Sequence, residues 1–117
     1  MLDAFVALSG DTSPIHVNGA VARARGYGGR VVHGMLLGSL VSAVLGTDLP
    51  GEIGLLQDVR LSFRNPCHPG DQVEILVTAS EFFESVQTLV LEIKITRDDG
   101  TILATGQARS GLRTGND

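Results

Sequence analysis

The chain has little of what marks a protein for secretion or for a membrane. Its single cysteine, Cys67, cannot form an internal disulfide, which is typical of a reducing compartment such as the cytoplasm. The N-terminus lacks the basic segment and the apolar run of a signal peptide. The longest apolar stretch, from Met35 to Leu45, covers about half of the ~20 residues that a helix needs to cross a bilayer. We therefore expect a cytoplasmic protein with no membrane partner.

Basic residues are also scarce. Lys94 is the only lysine, and the arginines are scattered along a chain whose formal net charge is −4. Because nucleic acid binds to a dense basic face, no nucleic-acid partner is expected. The length of 117 residues predicts one domain, 1–117, and a hydrophobic content of 43% argues against disorder.

The region Gly34–Gly46 contains no charged residue. Apolar side chains occupy its whole circumference, which predicts a helix buried on all sides. Shorter helices are predicted at Leu2–Leu8 and at Val17–Arg25, and a loop is predicted between them at Ser9–His16.

After this helix the hydrophobic pattern changes to a period of two, which predicts strands with one buried and one exposed face. The alternating segments are 58–64, 73–78, 88–95 and 102–109. Asp98-Asp99-Gly100 predicts a hairpin turn and Gly70-Asp71 a second turn. The expected fold class is α+β, an antiparallel sheet curled around the apolar helix, with a frayed polar tail after Leu112.

A carboxylate and an imidazole lie five positions apart in front of the apolar helix. Asp11 and His16 flank Pro14, which fixes its own φ and pushes Ser13 toward an extended conformation. Two titratable groups on one stiffened segment can share acid–base work on a water molecule. Taken alone, however, Asp11 is more typical of a turn or helix cap.

The start of the apolar helix offers a third group. A helix N-terminus presents free N–H groups with partial positive charge, and Gly34 has no Cβ to hinder the approach of a carbonyl oxygen. His33 is more readily a structural histidine that orients the loop than a catalytic one. A metal ion held by His16, His33 and a carboxylate has no support from ligand spacing, so no metal is expected. Cys67 is expected to be an inert thiol.

Together these segments resemble the MaoC-like hot-dog hydratases, which include the (R)-specific enoyl-CoA hydratases and related 3-hydroxyacyl-thioester dehydratases. The segments that carry the resemblance are 9–16, 28–35, 49–51, 63–66 and 69–71. This chain departs from the family at Ser13, where asparagine is usual. The family's N-terminal strand is also expected to be missing before Leu2.

The resemblance implies a hot-dog fold and a hydro-lyase of fatty acid metabolism that reversibly hydrates (2E)-enoyl thioesters to (R)-3-hydroxyacyl thioesters. Coenzyme A or acyl carrier protein would carry the substrate, no cofactor is expected, and the chain would form a homodimer. The residues that the resemblance implies are catalytic are Asp11, His16 and Gly34. Those expected to contact substrate are Ser13, His33, Ser42 and Leu45. Which of the Asp11–His16 pair is the base stays open.

Two other functions stay open. Hot-dog thioesterases commonly carry a carboxylate on the central helix, and Gly34–Gly46 has none. A catalytically weak subunit that binds acyl thioesters or a partner chain would fit Ser13 and the missing strand. The presence of both Asp11 and His16 argues against that alternative.

Overall fold

The computed structural model describes residues 1–113, and the expected frayed tail lies outside them from residue 114 onward. The helices in this part of the chain are α1 (Leu2–Ser9), α2 (Pro14–Val17), α3 (Gly19–Ala24) and α4 (Gly34–Thr47). The strands are β1 (Gly54–Phe63), β2 (Val73–Phe83), β3 (Thr88–Arg97) and β4 (Ile102–Leu112).

The strands form one antiparallel sheet in the order β1-β4-β3-β2, which confirms the predicted α+β class. Buried and exposed residues alternate clearly on β3 from Leu91 to Ile95, whereas on β4 the neighbouring residues Leu103 and Ala104 are both fully buried. The predicted hairpin turn joins β3 to β4, and the Arg97 N–H donates to the Thr101 carbonyl at 2.9 Å. Each strand extends beyond its predicted segment at one end.

The edge strand β1 does not have the buried face that its alternating sequence predicts. All its residues are exposed except Gly54 and Leu61, which are half-buried. The physical reason is that the core lies between α4 and the central strands, so an edge strand has a covering layer along only part of its length.

Helix α4 is buried on one side only, so the prediction of burial all round is wrong for this chain on its own. Leu36, Leu37, Val41 and Leu45 face the core, whereas Met35 is 64% exposed. The exposed side of the helix also carries Ser39, Ser42, Ala43 and Gly46. A four-stranded sheet covers a single face of a helix, and the other face keeps its apolar residues in contact with solvent.

The N-terminal third confirms the two predicted short helices and corrects the loop between them. Gly10 ends α1 in the left-handed region, with φ of 74°. The segment Pro14–Val17 then forms a helical turn, with Pro14 at its first position, so His16 lies on a helix instead of a loop. Asn18 caps α3 by accepting hydrogen bonds from the N–H groups of Ala20 and Val21.

Within residues 1–113, none of the helices combines the length and the apolar character needed to span a lipid bilayer.

Candidate active site

The His16 ring is held by the backbone of a neighbouring segment. Its Nδ1 lies 2.6 Å from the carbonyl oxygen of Val31. A carbonyl only accepts, so Nδ1 carries a proton, and in the neutral imidazole Nε2 then presents a lone pair. Arg30 adds to this anchoring, because its Nε donates to the His16 carbonyl at 2.7 Å while its guanidinium pairs with Asp3 on α1. The hydrogen bond from Arg30 lowers the pKa of Asp3.

The Asp11 carboxylate faces this lone pair. One oxygen, Oδ1, accepts the N–H of Ser13 at 3.1 Å, which fixes the carboxylate on its own turn. The other, Oδ2, lies 4.0 Å from His16 Nε2 and 3.9 Å from His33 Nε2. These separations are too long for direct hydrogen bonds, and they suit a single water molecule between the groups. The Asp11 side chain is 51% exposed, so solvent reaches it.

His33 lies behind this pair in the protein interior and is 3% exposed. Its ring stacks on His16 with 3.8 Å between centroids, and the edge of Phe5 packs against it at 5.0 Å. Nε2 lies 3.0 Å from the Asp11 carbonyl oxygen, so it donates there and ties the Asp11 turn to the start of α4. The remaining nitrogen, Nδ1, is buried and finds no hydrogen-bond partner within residues 1–113.

Three potential metal ligands lie close together, although their spacing in the sequence does not predict a metal site. One side-chain atom each from Asp11, His16 and His33 lies within 4.8 Å of the other two. The two imidazole rings are stacked, with 19° between their planes. His33 Nε2 is also committed to the Asp11 carbonyl. This arrangement fits a water site better than the tetrahedral ligand set of a zinc ion.

Gly34 is the first residue of α4 and lies next to the two histidines. A Cβ built on it would come within 2.9 Å of the Phe63 ring, so only glycine fits without a shift. The first amides of a helix have no partner inside the helix and carry partial positive charge. A cavity of about 330 Å³ opens beside them; His16, Tyr27, Gly34, Leu37, Phe63 and Cys67 are among its lining residues. We call it the inner cavity.

The residues expected to contact substrate lie in different places. Ser13 is the exposed N-cap of α2, and His33 is the buried histidine described above. Ser42 lies on the exposed side of α4 and lines a separate cavity. Leu45 is 2% exposed and packs in the hydrophobic core, so its contact with an acyl chain stays a prediction.

Several contributors to this site carry no motif of their own. The Val31 carbonyl sets the His16 tautomer through its backbone, and Phe5 packs on His33 from α1. Tyr27, the only tyrosine of the chain, lines the inner cavity. As the single tyrosine, Tyr27 could have been identified from the composition as a candidate. The roles of the Val31 carbonyl and of Phe5 depend on tertiary contacts, which the sequence does not show.

Cys67 lines the inner cavity but is 5% exposed. Burial, followed by the negative charge of Asp71, raises the pKa of its thiol. A raised pKa leaves less of the reactive thiolate, as expected for an inert cysteine.

Comparison with known proteins places this geometry in a family. The family profile described as "MaoC like domain" matches residues 1–99. An (R)-specific enoyl-CoA hydratase of Aeromonas caviae is 37% identical over 105 residues, which are 90% of this chain and 78% of that protein. A 3-hydroxybutyryl-CoA dehydratase of Methylorubrum extorquens is 40% identical over 66% of this chain, which spans only about half (49%) of that relative's length.

The fold agrees with these sequence matches. A solved structure of the A. caviae (R)-hydratase superposes with a TM-score of 0.90 at 36% identity, covering 96% of this chain and 85% of that one. By sequence and by structure, the chain therefore belongs to the MaoC-like domain family and has the hot-dog fold that its sequence predicts.

Proposed function

We propose that this protein is a hydro-lyase of fatty acid metabolism that reversibly hydrates (2E)-enoyl thioesters to (R)-3-hydroxyacyl thioesters. Two of its relatives are named for the two directions of such a reaction, as a hydratase and as a dehydratase. The observation that carries the proposal is the 4.0 Å separation of the Asp11 carboxylate from His16 Nε2 beside an accessible cavity.

Asp11 and His16 are proposed to hold the attacking water. The carboxylate oxygen and the unprotonated Nε2 are both acceptors, so one water can donate a hydrogen to each. As the water oxygen bonds to C3, one of the pair takes its proton. The electron pair of the C2–C3 double bond moves toward the thioester carbonyl. C2 then receives a proton from the pair, which returns to its starting state.

The charge that develops on the thioester oxygen needs a donor. The Gly34 N–H is proposed for this role, because it stands at the positive end of α4 and next to the inner cavity. A donor fixed in advance on developing negative charge contributes roughly 3 kcal/mol to lowering a barrier. Proton transfer and this stabilisation supply the chemistry of hydration, so the proposed reaction uses no cofactor. The carrier, coenzyme A or acyl carrier protein, is part of the substrate.

Ser13 and His33 are proposed to position the reacting groups. The Ser13 N–H holds Asp11 Oδ1, and His33 donates to the Asp11 carbonyl from beneath the His16 ring. Both contacts restrain the Asp11 turn, so that Oδ2 stays turned toward His16.

The protein is further proposed to act as a homodimer. The radius of gyration is 16.2 Å, larger than the about 13 Å of a compact 100-residue domain. Apolar side chains are also exposed along β1 and α4: Met35, Leu55, Leu56, Val59 and Phe63. A second copy would cover this face and the open edge of β1.

Incubation with crotonyl-CoA tests the activity. We expect the enoyl absorbance to fall without release of free thiol, and to recover from (R)-3-hydroxybutyryl-CoA in the reverse direction. Thiol release would mean a thioesterase instead. Binding of the thioester without either change would mean a catalytically weak subunit.

A further inference from the structure

Helix α2, which carries His16, is too short to hold its own position. It has four residues, and a helix of that length is not stable in water without contacts to the rest of the protein. The carbonyl groups of a last helical turn have no partner inside the helix. The Pro14 carbonyl accepts from the Asn18 N–H at 2.9 Å, but the His16 carbonyl needs a donor from another part of the chain.

Arg30 supplies that donor through its Nε–H, which lies 2.7 Å from the His16 carbonyl oxygen. A guanidinium is a rigid planar fork, so the direction of Nε is set by what the other nitrogens bind. Nη2 pairs with Asp3 on α1. Because Asp3 is 84% exposed, this ion pair contributes little to stability. Its consequence is instead to fix the plane of the guanidinium, with Nε aimed at α2.

The backbone next to Arg30 holds α2 as well. The Val31 N–H donates to the Ile15 carbonyl at 2.8 Å, and the Val31 carbonyl accepts from His16 Nδ1 at 2.6 Å. Residues 30–32, here called the 30–32 segment, therefore contact His16 twice, at its ring and at its carbonyl. A shift of α2 along this segment would move the imidazole that faces Asp11.

The other side of the 30–32 segment is fixed to the connection between β1 and β2. The Val32 N–H donates to the Cys67 carbonyl at 2.7 Å, and His68 Nδ1 donates to the Arg30 carbonyl at 2.8 Å. The segment is thus a fixed support, and α2 is the part that its contacts restrain. None of the residues in these contacts belongs to α4 or β1, whose exposed side is proposed to meet a second copy.

We propose that Arg30 is a positioning residue for hydration, whose Nε–H keeps α2 on the 30–32 segment so that His16 Nε2 stays turned toward Asp11. The inference rests on the proposed function, in which His16 and Asp11 share the attacking water. Arg30 does not touch the thioester in this account. Without its donor the His16 carbonyl turns to solvent, α2 is less restrained, and the imidazole can rotate away from the Val31 carbonyl.

The kinetic test uses Arg30→Met, which keeps an unbranched apolar side chain and removes the donor. With crotonyl-CoA we expect kcat to fall about 10- to 100-fold, the cost of a small misplacement, and KM to change by less than about threefold. Asp3→Asn keeps the Nε donor and should lose less. Arg23→Met is the matched control, because Arg23 lines the same surface cleft as Arg30 and its side chain has no hydrogen bond or ion pair within residues 1–113. Its kcat should stay unchanged.

Nuclear magnetic resonance of the imidazole nitrogens gives a readout that does not depend on turnover. The chain has only three histidines, and at about pH 9 an imidazole of ordinary pKa is neutral, so its nitrogen shifts identify the tautomer. We expect His16 to carry its proton on Nδ1 in the wild type and in Arg23→Met. In Arg30→Met we expect a mixture of the Nδ1–H and Nε2–H tautomers.

An unchanged kcat in folded Arg30→Met would overturn the inference, as would a His16 that keeps only the Nδ1–H tautomer there. A rise in KM alone would overturn it too, because Arg30 would then bind the carrier. If Arg30→Met does not fold, Arg30→Lys decides by the same criteria, since one ammonium cannot reproduce the fork to Asp3 and His16. Failure of the proposed function is a different result, in which the wild type does not hydrate crotonyl-CoA.

Discussion

At the scale of single residues, Gly34 offers a sharp test of how tightly the site is packed. Gly34→Ala puts a methyl group within 2.9 Å of the Phe63 ring, so the ring or the helix start must move. Because a misplacement of about 1 Å can cost about 10²-fold in rate, we expect a loss of that size in kcat/KM for crotonyl-CoA.

Gly38→Ala is the control on the same helix. Its added Cβ would make ordinary contacts with the flexible end of Met35, at 3.4 Å, and with Leu61 Cδ1, at 3.6 Å, and alanine favours helix. We expect its rate to stay close to that of wild type. If Gly34→Ala hydrates crotonyl-CoA as fast as Gly38→Ala, close packing at Gly34 does not matter for turnover.

The sequence predicts the identity of the central residues better than their chemical state. The spacing around Pro14 predicts that Asp11 and His16 lie close together on a stiffened segment, and their side chains are 4.0 Å apart in the structure. The tautomer of His16 depends on the Val31 carbonyl, which comes from a distant part of the chain. The core position of Leu45 likewise depends on which side of α4 the sheet covers.

At the scale of elements, the β3–β4 hairpin has a carboxylate whose charge supports the turn. Asp99 accepts the Thr101 N–H at 3.0 Å and the Arg97 Nε–H at 3.1 Å. Chiefly through the backbone hydrogen bond, these contacts lower the pKa of Asp99 from 3.8 to about 2. Since the folded-state pKa is lowered, the stabilisation is present above pH 4 and is lost as the pH falls toward 2.

Asp99→Asn should therefore lower the urea midpoint at pH 7, and the difference from wild type should shrink between pH 4 and pH 2. Asp98→Asn is the neighbouring control, since within residues 1–113 no side-chain hydrogen bond or ion pair of Asp98 is found. A midpoint difference for Asp99→Asn that stays constant from pH 7 to pH 2 would contradict this account.

The types of the elements follow from periodicity, but their burial does not. Alternation predicts all four strands, and the uncharged run predicts α4, because each pattern matches the period of its backbone. The exposed side of α4 and the exposed β1 depend on the number of strands and their order in the sheet, which neither local pattern contains.

At the scale of the whole molecule, the exposed apolar face predicts the oligomeric state. Light scattering should give a mass about twice the 12.3 kDa of the chain. Val59→Glu puts a charge on the edge strand proposed to meet the second copy, where Val59 is 41% exposed, and should shift the mass toward that of one chain.

Leu76→Glu is the matched control, because Leu76 is 53% exposed on the opposite edge strand, β2. We expect it to leave the mass unchanged. A wild-type protein that runs as a monomer, or a Leu76→Glu variant that dissociates while Val59→Glu does not, would argue against pairing through β1.

The central claim is that Asp11 and His16 together handle the water that adds to the thioester. Its most direct test is the rate of crotonyl-CoA hydration by Asp11→Asn and by His16→Ala, with Asp58→Asn as a carboxylate control on β1. We expect each of the first two to lose about 10²- to 10⁴-fold in kcat/KM while keeping the circular dichroism spectrum of the wild type. A rate near that of wild type in either variant would contradict the account.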